Sequence, residues 1–370
     1  MRRFVAWVAA VVVVLALVGV AAVGWYYSGE ILGVAESDQP ERSTEVLEIG
    51  KNRVTLENTP DARQPGTYGV DAPEAYARAG KIVATESSGV TRSLESVDGT
   101  LQQGDRIDVD GYAYPQDPDA AFEFPVSEID IAGPLGKQPA WFAAGDGNSR
   151  WALLVHGRAA RRNECFRLLE ILRQAHGYNV ICPTYRNDEG APADPDDIYR
   201  QGAQEWRDVE PALRYALDQG ATEVVVGGFS LGGQITANLF RHSKLAAEVD
   251  AVIWDAPLLD WGPALTAAAA DRGVPTWIVP LGMKASELRA DVNYQDLNQI
   301  DHAQAFDVPI LLIHGTADET VPVSVAERFA AASKTTTFER FTGAGHVNAW
   351  NTDRRRYERV VGQFVERIGN

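Results

Sequence analysis

The sequence predicts an α/β protein. A doubly wound, mostly parallel sheet with a small cap is expected to follow a small, mainly-β domain and an N-terminal transmembrane helix. Three observations support this: an uncharged apolar run at the N-terminus, short strand-like runs over residues 31–140, and alternating strands and helices from about residue 141. We therefore expect an anchor over residues 1–30, a β-rich domain over 31–140, and a larger domain over 141–370 with a cap insertion at 258–305.

Composition limits the class of protein. Of the 370 residues, 45% are hydrophobic and 23% are charged, which is typical of a folded chain and not of a disordered one. The formal net charge of −17 argues against binding of nucleic acid, which is held mainly by Lys and Arg on phosphates. Two cysteines are too few for a disulfide-rich scaffold or a four-cysteine metal site. Arginine greatly outnumbers lysine, which fits a GC-rich bacterial genome.

The uncharged run between Arg3 and Glu30 is long enough to cross a membrane, because a helix needs about 20 apolar residues to do so. Trp25 and its two tyrosine neighbours stand where an interfacial aromatic belt would lie. Basic residues precede the run and acidic residues follow it, so the positive-inside rule predicts a cytoplasmic N-terminus and places the rest of the chain outside the cytoplasm. The acidic residues that follow are Glu30, Glu36 and Asp38.

A cleaved signal peptide is the alternative interpretation of this run, with a cleavage site at Gly19–Ala21. A signal peptide has an apolar core of about 7–15 residues, whereas this run continues to Tyr27, which favours an uncleaved anchor. A buried core helix is disfavoured because the run has no polar face to meet water. Both membrane interpretations place the remaining chain in the same compartment.

Residues 31–140 are typical of a small β domain. Apolar and polar residues alternate over short runs, and Gly, Pro, Asn and Asp separate those runs at turn spacing. The segment is strongly acidic and contains no motif with an assignable chemistry. We expect it to act mainly as a spacer between the membrane and the larger domain. The strand-like runs are VLEIG, NRVTLEN, KIVATES, RIDVDGYAY and EIDIAG.

From about Trp141 the chain alternates buried strands with helices, which predicts a parallel sheet covered on both faces. The strands are WALLVH (151–156), YNVICP (178–183), TEVVVGG (222–228), AVIWDA (251–256), PILLIHG (309–315) and TTFERF (336–341). The helices are Arg161–Ala175, Ala203–Asp218, Leu231–Arg241, Val323–Ala332 and one near Thr352–Ile368. Residues 258–305 interrupt the alternation and are expected to form the cap.

The motif GGFSLGG at residues 227–233 follows a predicted strand and opens a predicted helix. It contains G-x-S-x-G around Ser230, and a strand-to-helix turn this sharp needs small neighbours beside the nucleophile. The turn would lift the Ser230 hydroxyl to the end of the sheet, beside the N-terminus of the next helix. Backbone N–H groups there favour a developing negative charge. Between a strand and a helix, this motif indicates a nucleophilic serine.

A serine nucleophile needs a base and an orienting carboxylate. His346 lies in a Gly-rich loop after the last strand, as the order Ser, Asp, His requires. Asp318 follows the strand PILLIHG and is the expected carboxylate, with Asp255 one strand earlier as the alternative. The backbone N–H groups of Leu231 and Arg158 are the expected oxyanion-hole donors.

These motifs resemble those of the α/β-hydrolase superfamily, and within it the bacterial relatives of monoacylglycerol lipases and serine aminopeptidases. The resemblance covers about residues 141–370 and depends on HGR (156–158), GFSLG (228–232), GTADETVP (315–322) and GAGH (343–346), in the family's order. It implies a triad of Ser230, Asp318 and His346 and acyl transfer to water through an acyl-enzyme, without a cofactor or a metal. The fold hosts many activities, so the resemblance leaves the substrate open.

The family's sheet order would also place the first two buried strands of this domain side by side. Cys165 follows one of them and Cys182 ends the other, so the pair is expected either to form a disulfide or to remain two buried thiols.

Four arginines, at 158, 161, 162 and 167, crowd the start of a helix, where the helix dipole disfavours cations. They are expected either to form salt bridges or to bind an anionic substrate group, and salt bridges are favoured. The expected partners are Asp188, Glu189, Asp194, Asp196 and Asp197.

The sequence therefore predicts a membrane-anchored, extracytoplasmic serine hydrolase acting on small acyl esters or lipids, as a carboxylesterase or lipase. Apolar residues of the cap, among them Trp261 and Trp277, either line an acyl pocket or pack the cap on the core. A serine peptidase acting on short peptides is the alternative within the same class. A non-catalytic, hydrolase-like binding protein of the cell envelope is the alternative in a different class.

Overall fold

The computed structural model describes residues 2–35 and 39–368, so Glu36 and Asp38 lie outside the described residues. The strands are β1 Thr44–Gly50, β2 Arg53–Glu57, β3 Tyr68–Ala72, β4 Ala75–Thr85, β5 Gly89–Gly99, β6 Arg106–Asp110, β7 Val126–Gly133, β8 Gly136–Ala143, β9 Arg150–Val155, β10 Asn179–Pro183, β11 Glu223–Phe229, β12 Ala251–Asp255, β13 Ile310–Gly315 and β14 Thr336–Phe341. The helices are α1 Arg2–Leu32, α2 Pro118–Ala121, α3 Phe166–Leu169, α4 Trp206–Asp218, α5 Leu231–His242, α6 Trp261–Asp271, α7 Val279–Ala290, α8 Val323–Ala332, α9 Ala349–Thr352 and α10 Arg354–Ile368.

The larger domain is built on an eight-stranded sheet in the order β14-β13-β12-β11-β9-β10-β8-β7. The strands from β9 to β14 pair in parallel with one another, and all six correspond to strands predicted from continuous apolar runs. Helices α4, α5 and α8 cover one face of the sheet, and α3 with its flanking turns and α10 cover the other. The predicted doubly wound, mostly parallel architecture is confirmed.

The predicted boundary at residue 140 is corrected by the sheet, because it falls inside β8. Strands β7 and β8 form an antiparallel hairpin, and β8 pairs antiparallel with β10, so the large sheet begins near residue 126. The run EIDIAG therefore belongs to the larger domain and not to the small one. The run alternates apolar and polar residues, as antiparallel strands with one solvated face do. Strands of the small domain show the same alternation, so the pattern alone does not say to which domain the run belongs.

The small β domain is a closed barrel of six antiparallel strands, in the order β1-β2-β5-β4-β3-β6. Closure removes the exposed sheet edges that a six-stranded sheet would otherwise present to solvent. The interior is narrow and filled mainly by Val and Ala side chains. The fully buried Arg92 donates to four backbone carbonyls, those of residues 62, 64, 66 and 80, and thereby ties the segment after β2 to β4 and β5.

Helix α1 has two parts. The side chains of residues 3–22 are exposed, whereas one face of the last turns packs against α7 of the cap. Glycines make this crossing close, because a Cβ atom at Gly24 would lie 2.9 Å from the carbonyl oxygen of Leu281. Ile31 and Leu32 are buried at the end of the helix, and burial of a side chain of this size stabilises the contact by roughly 1.5–3 kcal/mol.

The cap, predicted at 258–305, consists mainly of α6 and α7 between β12 and β13. Helix α7 packs against α1, and both cap helices contribute buried residues to the core of the large domain. The sequence did not predict the contact with α1, because an apolar face that meets another helix and one that meets lipid have the same composition.

Of the two alternatives for Cys165 and Cys182, a disulfide or two buried thiols, the structure has the second. The strands that precede them, β9 and β10, are neighbours, as expected. The Cys165 thiol donates to the carbonyl oxygen of Leu154, at 3.4 Å. Burial, and then the neighbouring Cys182 thiol, raise the pKa of Cys165 well above its usual range. Both cysteines therefore act as small apolar residues of the core.

Candidate active site

The turn between β11 and α5 places Ser230 in a strained backbone conformation, with φ of 48° and ψ of −115°. The turn requires glycine at two positions, one two residues before Ser230 and one two residues after it. A Cβ atom at Gly228 would lie 2.5 Å from the backbone of Gly232, and one at Gly232 would lie 2.0 Å from the carbonyl oxygen of Val155. Such strain costs on the order of 1–3 kcal/mol and persists only where the surrounding structure enforces it. The predicted elbow geometry is therefore present, with Ser230 at its tip.

The structure brings Ser230, His346 and Asp318 into one hydrogen-bonded chain. The His346 Nε2 atom lies 2.8 Å from Ser230 Oγ, and His346 Nδ1 lies 2.8 Å from Asp318 Oδ2. With the proton on Nδ1, His346 donates to the carboxylate and accepts from the serine hydroxyl. In this tautomer His346 can take the proton of Ser230 while Asp318 stabilises the resulting imidazolium.

The Asp318 side chain is fully buried, yet it stays ionised. Burial alone would raise its pKa, but hydrogen bonds from His314 and then from His346 hold the pKa well below its usual range. The backbone N–H groups of Thr320 and Val321 also donate to its second oxygen, at 2.9 and 2.8 Å. A carboxylate fixed by four donors keeps its position and charge when His346 becomes protonated.

The alternative carboxylate, Asp255, does not contact His346. It lies at the end of β12, where its backbone carbonyl accepts the N–H of Ser230, at 3.1 Å. Its side chain is buried away from His346, and this burial raises its pKa to about 6.

The loop after β9 lies directly against Ser230. A Cβ atom at Gly157 would be 3.2 Å from Ser230 Cβ. The Gly157 N–H donates to the carboxylate of Glu164, at 2.7 Å, and its carbonyl oxygen accepts the Tyr185 hydroxyl, at 2.7 Å. Because the N–H of Gly157 is already used, the next N–H of the loop, that of Arg158, remains the expected oxyanion donor. The other expected donor is the N–H of Leu231, which opens α5, where a helix supplies no acceptor for it.

A cavity of about 380 Å³ opens over these groups. Ser230 and His346 lie on one side of it, and the loop after β9 lies on the other. Its lining residues are Tyr112, Gly157, Arg158, Ala159, Ala160, Glu164, Ser230 and His346. We refer to this space as the catalytic cavity.

The barrel contributes to this region, which the sequence did not predict. Tyr112, directly after β6, lines the catalytic cavity, and its hydroxyl accepts the backbone N–H of Arg161, at 3.3 Å. The buried Arg167 donates to the carbonyl of Val347, next to His346, and to the carbonyl of Gly111, at 2.6 Å. One guanidinium therefore joins the histidine loop to the barrel.

Each arginine of the cluster has at least one partner, but none of these partners is a predicted acidic residue. Arg161 pairs with Asp110 of the barrel, at 3.2 Å, and Arg162 pairs with Glu128 of β7, at 3.0 Å. Arg158 donates to the carbonyl of Gly33, at 2.6 Å. The predicted salt bridges to residues 188–197 are wrong, because the barrel and the end of α1 occupy this face of the domain.

The acidic residues of the 188–197 loop have other partners. Asp194 pairs with Arg186, at 3.0 Å, and with Arg200, at 2.9 Å. Asp188 lies 2.9 Å from His156 Nε2. Burial alone would lower the pKa of His156, but the carboxylate of Asp188 outweighs burial and raises it. This pair holds the first residue of the HGR motif beside the oxyanion loop.

Glu164 and Tyr185 are the site residues that sequence reasoning missed. Glu164 follows the HGR motif by six residues in a polar stretch, and Tyr185 lies two residues after a buried strand. Nothing in their spacing distinguishes them from a surface glutamate and a core tyrosine. Only the fold shows that both bind Gly157, one at its N–H and one at its carbonyl.

Comparison with known families decides the classification of the larger domain. A family model described as the alpha/beta hydrolase family matches residues 152–362, which is more than half of the chain. The chain belongs to the alpha/beta hydrolase family. In this alpha/beta hydrolase, residues 45–110 also match a model described as a domain of unknown function (DUF8805), and this range covers the barrel. A search of the curated proteins finds no match.

Solved structures share the fold of this alpha/beta hydrolase at low sequence identity. The esterase Pf2001 of Pyrococcus furiosus aligns with a TM-score of 0.52 at 20% identity, over 66% of this chain and 91% of that one. An esterase from Exiguobacterium antarcticum aligns with a TM-score of 0.50 at 17% identity, over 65% and 100%. Est1E of Butyrivibrio proteoclasticus, with ferulic acid bound, aligns with a TM-score of 0.50 at 15% identity, over 65% and 100%.

Proposed function

We propose that this protein is a membrane-anchored serine hydrolase that cleaves acyl esters. The observation that supports this most directly is the hydrogen-bonded chain from Ser230 through His346 to Asp318, set at a strained turn beside the start of α5. Among the described residues that line the catalytic cavity, Ser230 is the one serine, and there is no threonine, cysteine or lysine.

In the proposed reaction Ser230 Oγ attacks the ester carbonyl as His346 Nε2 takes the hydroxyl proton. The negative charge on the carbonyl oxygen is held by the N–H groups of Leu231 and Arg158. When the tetrahedral intermediate collapses, the C–O bond to the alcohol breaks and His346 returns its proton to the departing alcohol. Water then attacks the acyl-enzyme by the same route, releasing the carboxylic acid and restoring Ser230.

Esters are favoured over peptides as substrates because the charges around the catalytic cavity already have partners. The Glu164 carboxylate accepts the Gly157 N–H, and the Arg158 guanidinium donates to the Gly33 carbonyl. A peptidase that recognises a chain terminus needs a charged group left free for it. Both side chains are instead bound to backbone groups of this chain.

The anchor is proposed from the helix α1. Within the described residues, Arg3–Leu32 is the one helix long and apolar enough to cross a membrane, with a mean hydropathy of 2.9 in its most apolar window. Basic residues precede the span and acidic residues follow it, so we infer a cytoplasmic N-terminus and an extracytoplasmic catalytic domain.

The test uses the full-length protein in liposomes with two substrate series, p-nitrophenyl esters of increasing chain length and aminoacyl p-nitroanilides. Ester hydrolysis that is abolished in Ser230→Ala and retained in the exposed control Ser149→Ala would support the proposal. Faster cleavage of the anilides would favour the peptidase. A folded protein that hydrolyses neither series would contradict the proposal and favour a binding role.

A further inference from the structure

A second and larger cavity lies between the end of α1 and the cap, with a volume of about 620 Å³. We call it the anchor–cap pocket. The α1 end contributes its residues 26, 27 and 29–31 and the segment that follows, 33–35. Helix α6 contributes Leu265, Ala268 and Ala269, whose i, i+3, i+4 spacing places them on one helix face, and Arg272 lines the pocket directly after the helix. The start of α7 contributes further apolar side chains.

Arg158 connects the anchor–cap pocket to the catalytic cavity, since it lines both. Its guanidinium donates to the carbonyl of Gly33, at 2.6 Å, and lies over the Tyr199 ring, at 4.9 Å from its centre. The positive charge is therefore held at the end of the anchor, and the stem of the side chain runs towards the loop beside Ser230. A substrate that reaches from Ser230 past Arg158 enters the anchor–cap pocket.

The position of the pocket along α1 points to the membrane surface. The exposed part of the helix ends near residue 22, after about 30 Å, the thickness of a hydrocarbon core. The turns that line the pocket follow immediately. Trp277 and Leu288 of the cap are 66% and 78% exposed, and Trp25 on α1 is 59% exposed. Large exposed apolar side chains beside a membrane span are typical of a surface that contacts the interface.

Specific contacts hold α1 in place against the cap and the larger domain. Arg289 of α7 donates to the hydroxyl of the buried Ser28, at 2.7 Å. Gln201 donates to the carbonyl of Ile31, at 2.7 Å, and the N–H of Tyr199 donates to the carbonyl of Leu32, at 2.8 Å. The walls of the pocket are thus fixed to each other, and its mouth lies at the depth at which the helix leaves the bilayer.

We propose that the anchor–cap pocket receives the acyl chain of a lipid ester directly from the leaflet in which α1 ends, so that the substrates are long-chain, bilayer-resident acyl esters. This inference deepens the proposed function and rests on it. A mostly apolar cavity of 620 Å³ falls within the range of about 300–1,000 Å³ typical of small-molecule sites. Each methylene that the pocket buries raises the binding constant by about fourfold. The pocket therefore favours substrates with long acyl chains.

The first test fills the pocket in the full-length protein reconstituted in liposomes. Ala269→Trp places an indole on the lining face of α6, and Ala270→Trp is the matched control, since Ala270 is exposed on the same helix and does not line the pocket. The readout is the ratio of kcat/KM for p-nitrophenyl palmitate to that for p-nitrophenyl acetate. We expect Ala269→Trp to lower this ratio at least tenfold and Ala270→Trp to leave it within twofold. An unchanged ratio in both variants would overturn the proposal.

The second test does not depend on catalysis. Ser230→Ala in liposomes is irradiated with a monoacylglycerol carrying a diazirine near the end of a 16-carbon chain, and the adducts are mapped by mass spectrometry. We expect adducts on the peptides that contain residues 26–35 and 265–282, lost when Ala269→Trp is added. Adducts confined to the exposed part of α1, or unaffected by Ala269→Trp, would overturn the proposal.

The two proposals fail in different ways. If the wild type hydrolyses the acetate ester but neither variant changes the chain-length ratio, the hydrolase stands and the lipid pocket is wrong. If the folded wild type hydrolyses no ester, the proposed function is wrong, and the photolabel alone decides whether the pocket binds an acyl chain.

Discussion

Replacing Gly157 with alanine tests the link between the loop after β9 and the chemistry at Ser230. The added Cβ atom would lie 3.2 Å from Ser230 Cβ, 3.3 Å from Glu164 Oε2 and 3.4 Å from the Phe229 carbonyl oxygen. Gly157 is not among the residues with positive φ, so alanine fits its backbone conformation. The substitution therefore changes only the space beside the nucleophile.

The size of the expected loss in kcat depends on how firmly the loop after β9 is held. Glu164 fixes the N–H of residue 157 and Tyr185 fixes its carbonyl, each at 2.7 Å. The loop can relieve the contact only by shifting a few tenths of an ångström, and this shift moves the adjacent N–H of Arg158. Losing an oxyanion donor outright costs roughly 10²–10³-fold in kcat, so we expect displacement to cost about 10- to 100-fold. A tenfold loss corresponds to about 1.4 kcal/mol of transition-state stabilisation.

The assay measures kcat and KM on a p-nitrophenyl ester, together with the free energy of unfolding. We expect kcat of Gly157→Ala to fall while KM stays within threefold and the free energy of unfolding stays within about 1 kcal/mol. Gly147→Ala is the matched control, because a Cβ atom at Gly147 has nothing within 4 Å. A wild-type kcat in Gly157→Ala would refute the inference that this loop sets the geometry at Ser230.

Three further predictions follow from the site. Asp318→Asn removes the charge that orients His346, and we expect kcat to fall by about 10⁴-fold in hydrolysis assays. The pKa of His156 is raised by Asp188, so His156 contributes stability that is fully present below its unfolded pKa, near 6.5, and is lost as the pH rises through the raised value. We expect the free energy of unfolding of His156→Asn to change less than that of the wild type as the pH rises above about 6.5. Arg167→Met removes the donor to the Val347 carbonyl and leaves the Gly111 carbonyl with Asn351 as its donor, so we expect a loss of about 1–3 kcal/mol in denaturant unfolding, with a lower kcat.

Each of these predictions has a control and a contradicting result. Glu319→Gln, next to Asp318, should keep kcat within twofold, and a loss of less than tenfold in Asp318→Asn would contradict the orienting role. Wild-type pH dependence in His156→Asn would show that the ion pair is not linked to folding. Arg214→Met is an exposed control for Arg167→Met, and equal stability of the two variants would contradict the bridge between barrel and histidine loop.

Much of the larger domain could be predicted from the sequence because its signals are local. Strands such as Ile310–Gly315 are continuous apolar runs, and helices such as Val323–Ala332 begin and end where their pattern does. Ser230, His346 and Asp318 were placed by motifs whose order along the chain follows the order of the strands. The glycines around Ser230 also mark the position of the nucleophile in the sequence, since the turn has no room for a larger residue there.

The contacts between the parts of the chain could not be predicted, because they depend on surfaces that no local pattern describes. The sequence offered several acidic partners for Arg161, and only docking of the barrel selects Asp110. Strand β5 was missed because Thr, Ser and Glu interrupt its apolar residues. The packing of α1 on the cap was missed although Gly24 and Gly282 lie at the contact. Glycine is also common in membrane helices, so these two residues do not show which partner a helix meets.

The most direct test of the central claim is covalent labelling of the full-length protein with a fluorophosphonate, with the adduct located by mass spectrometry. An activated serine attacks the phosphorus and displaces fluoride, whereas an ordinary serine hydroxyl reacts poorly. The account predicts one adduct, on Ser230, that is absent in Ser230→Ala and slower to form in Asp318→Asn. A folded wild-type protein that carries no adduct, or carries it on another serine, would contradict the account.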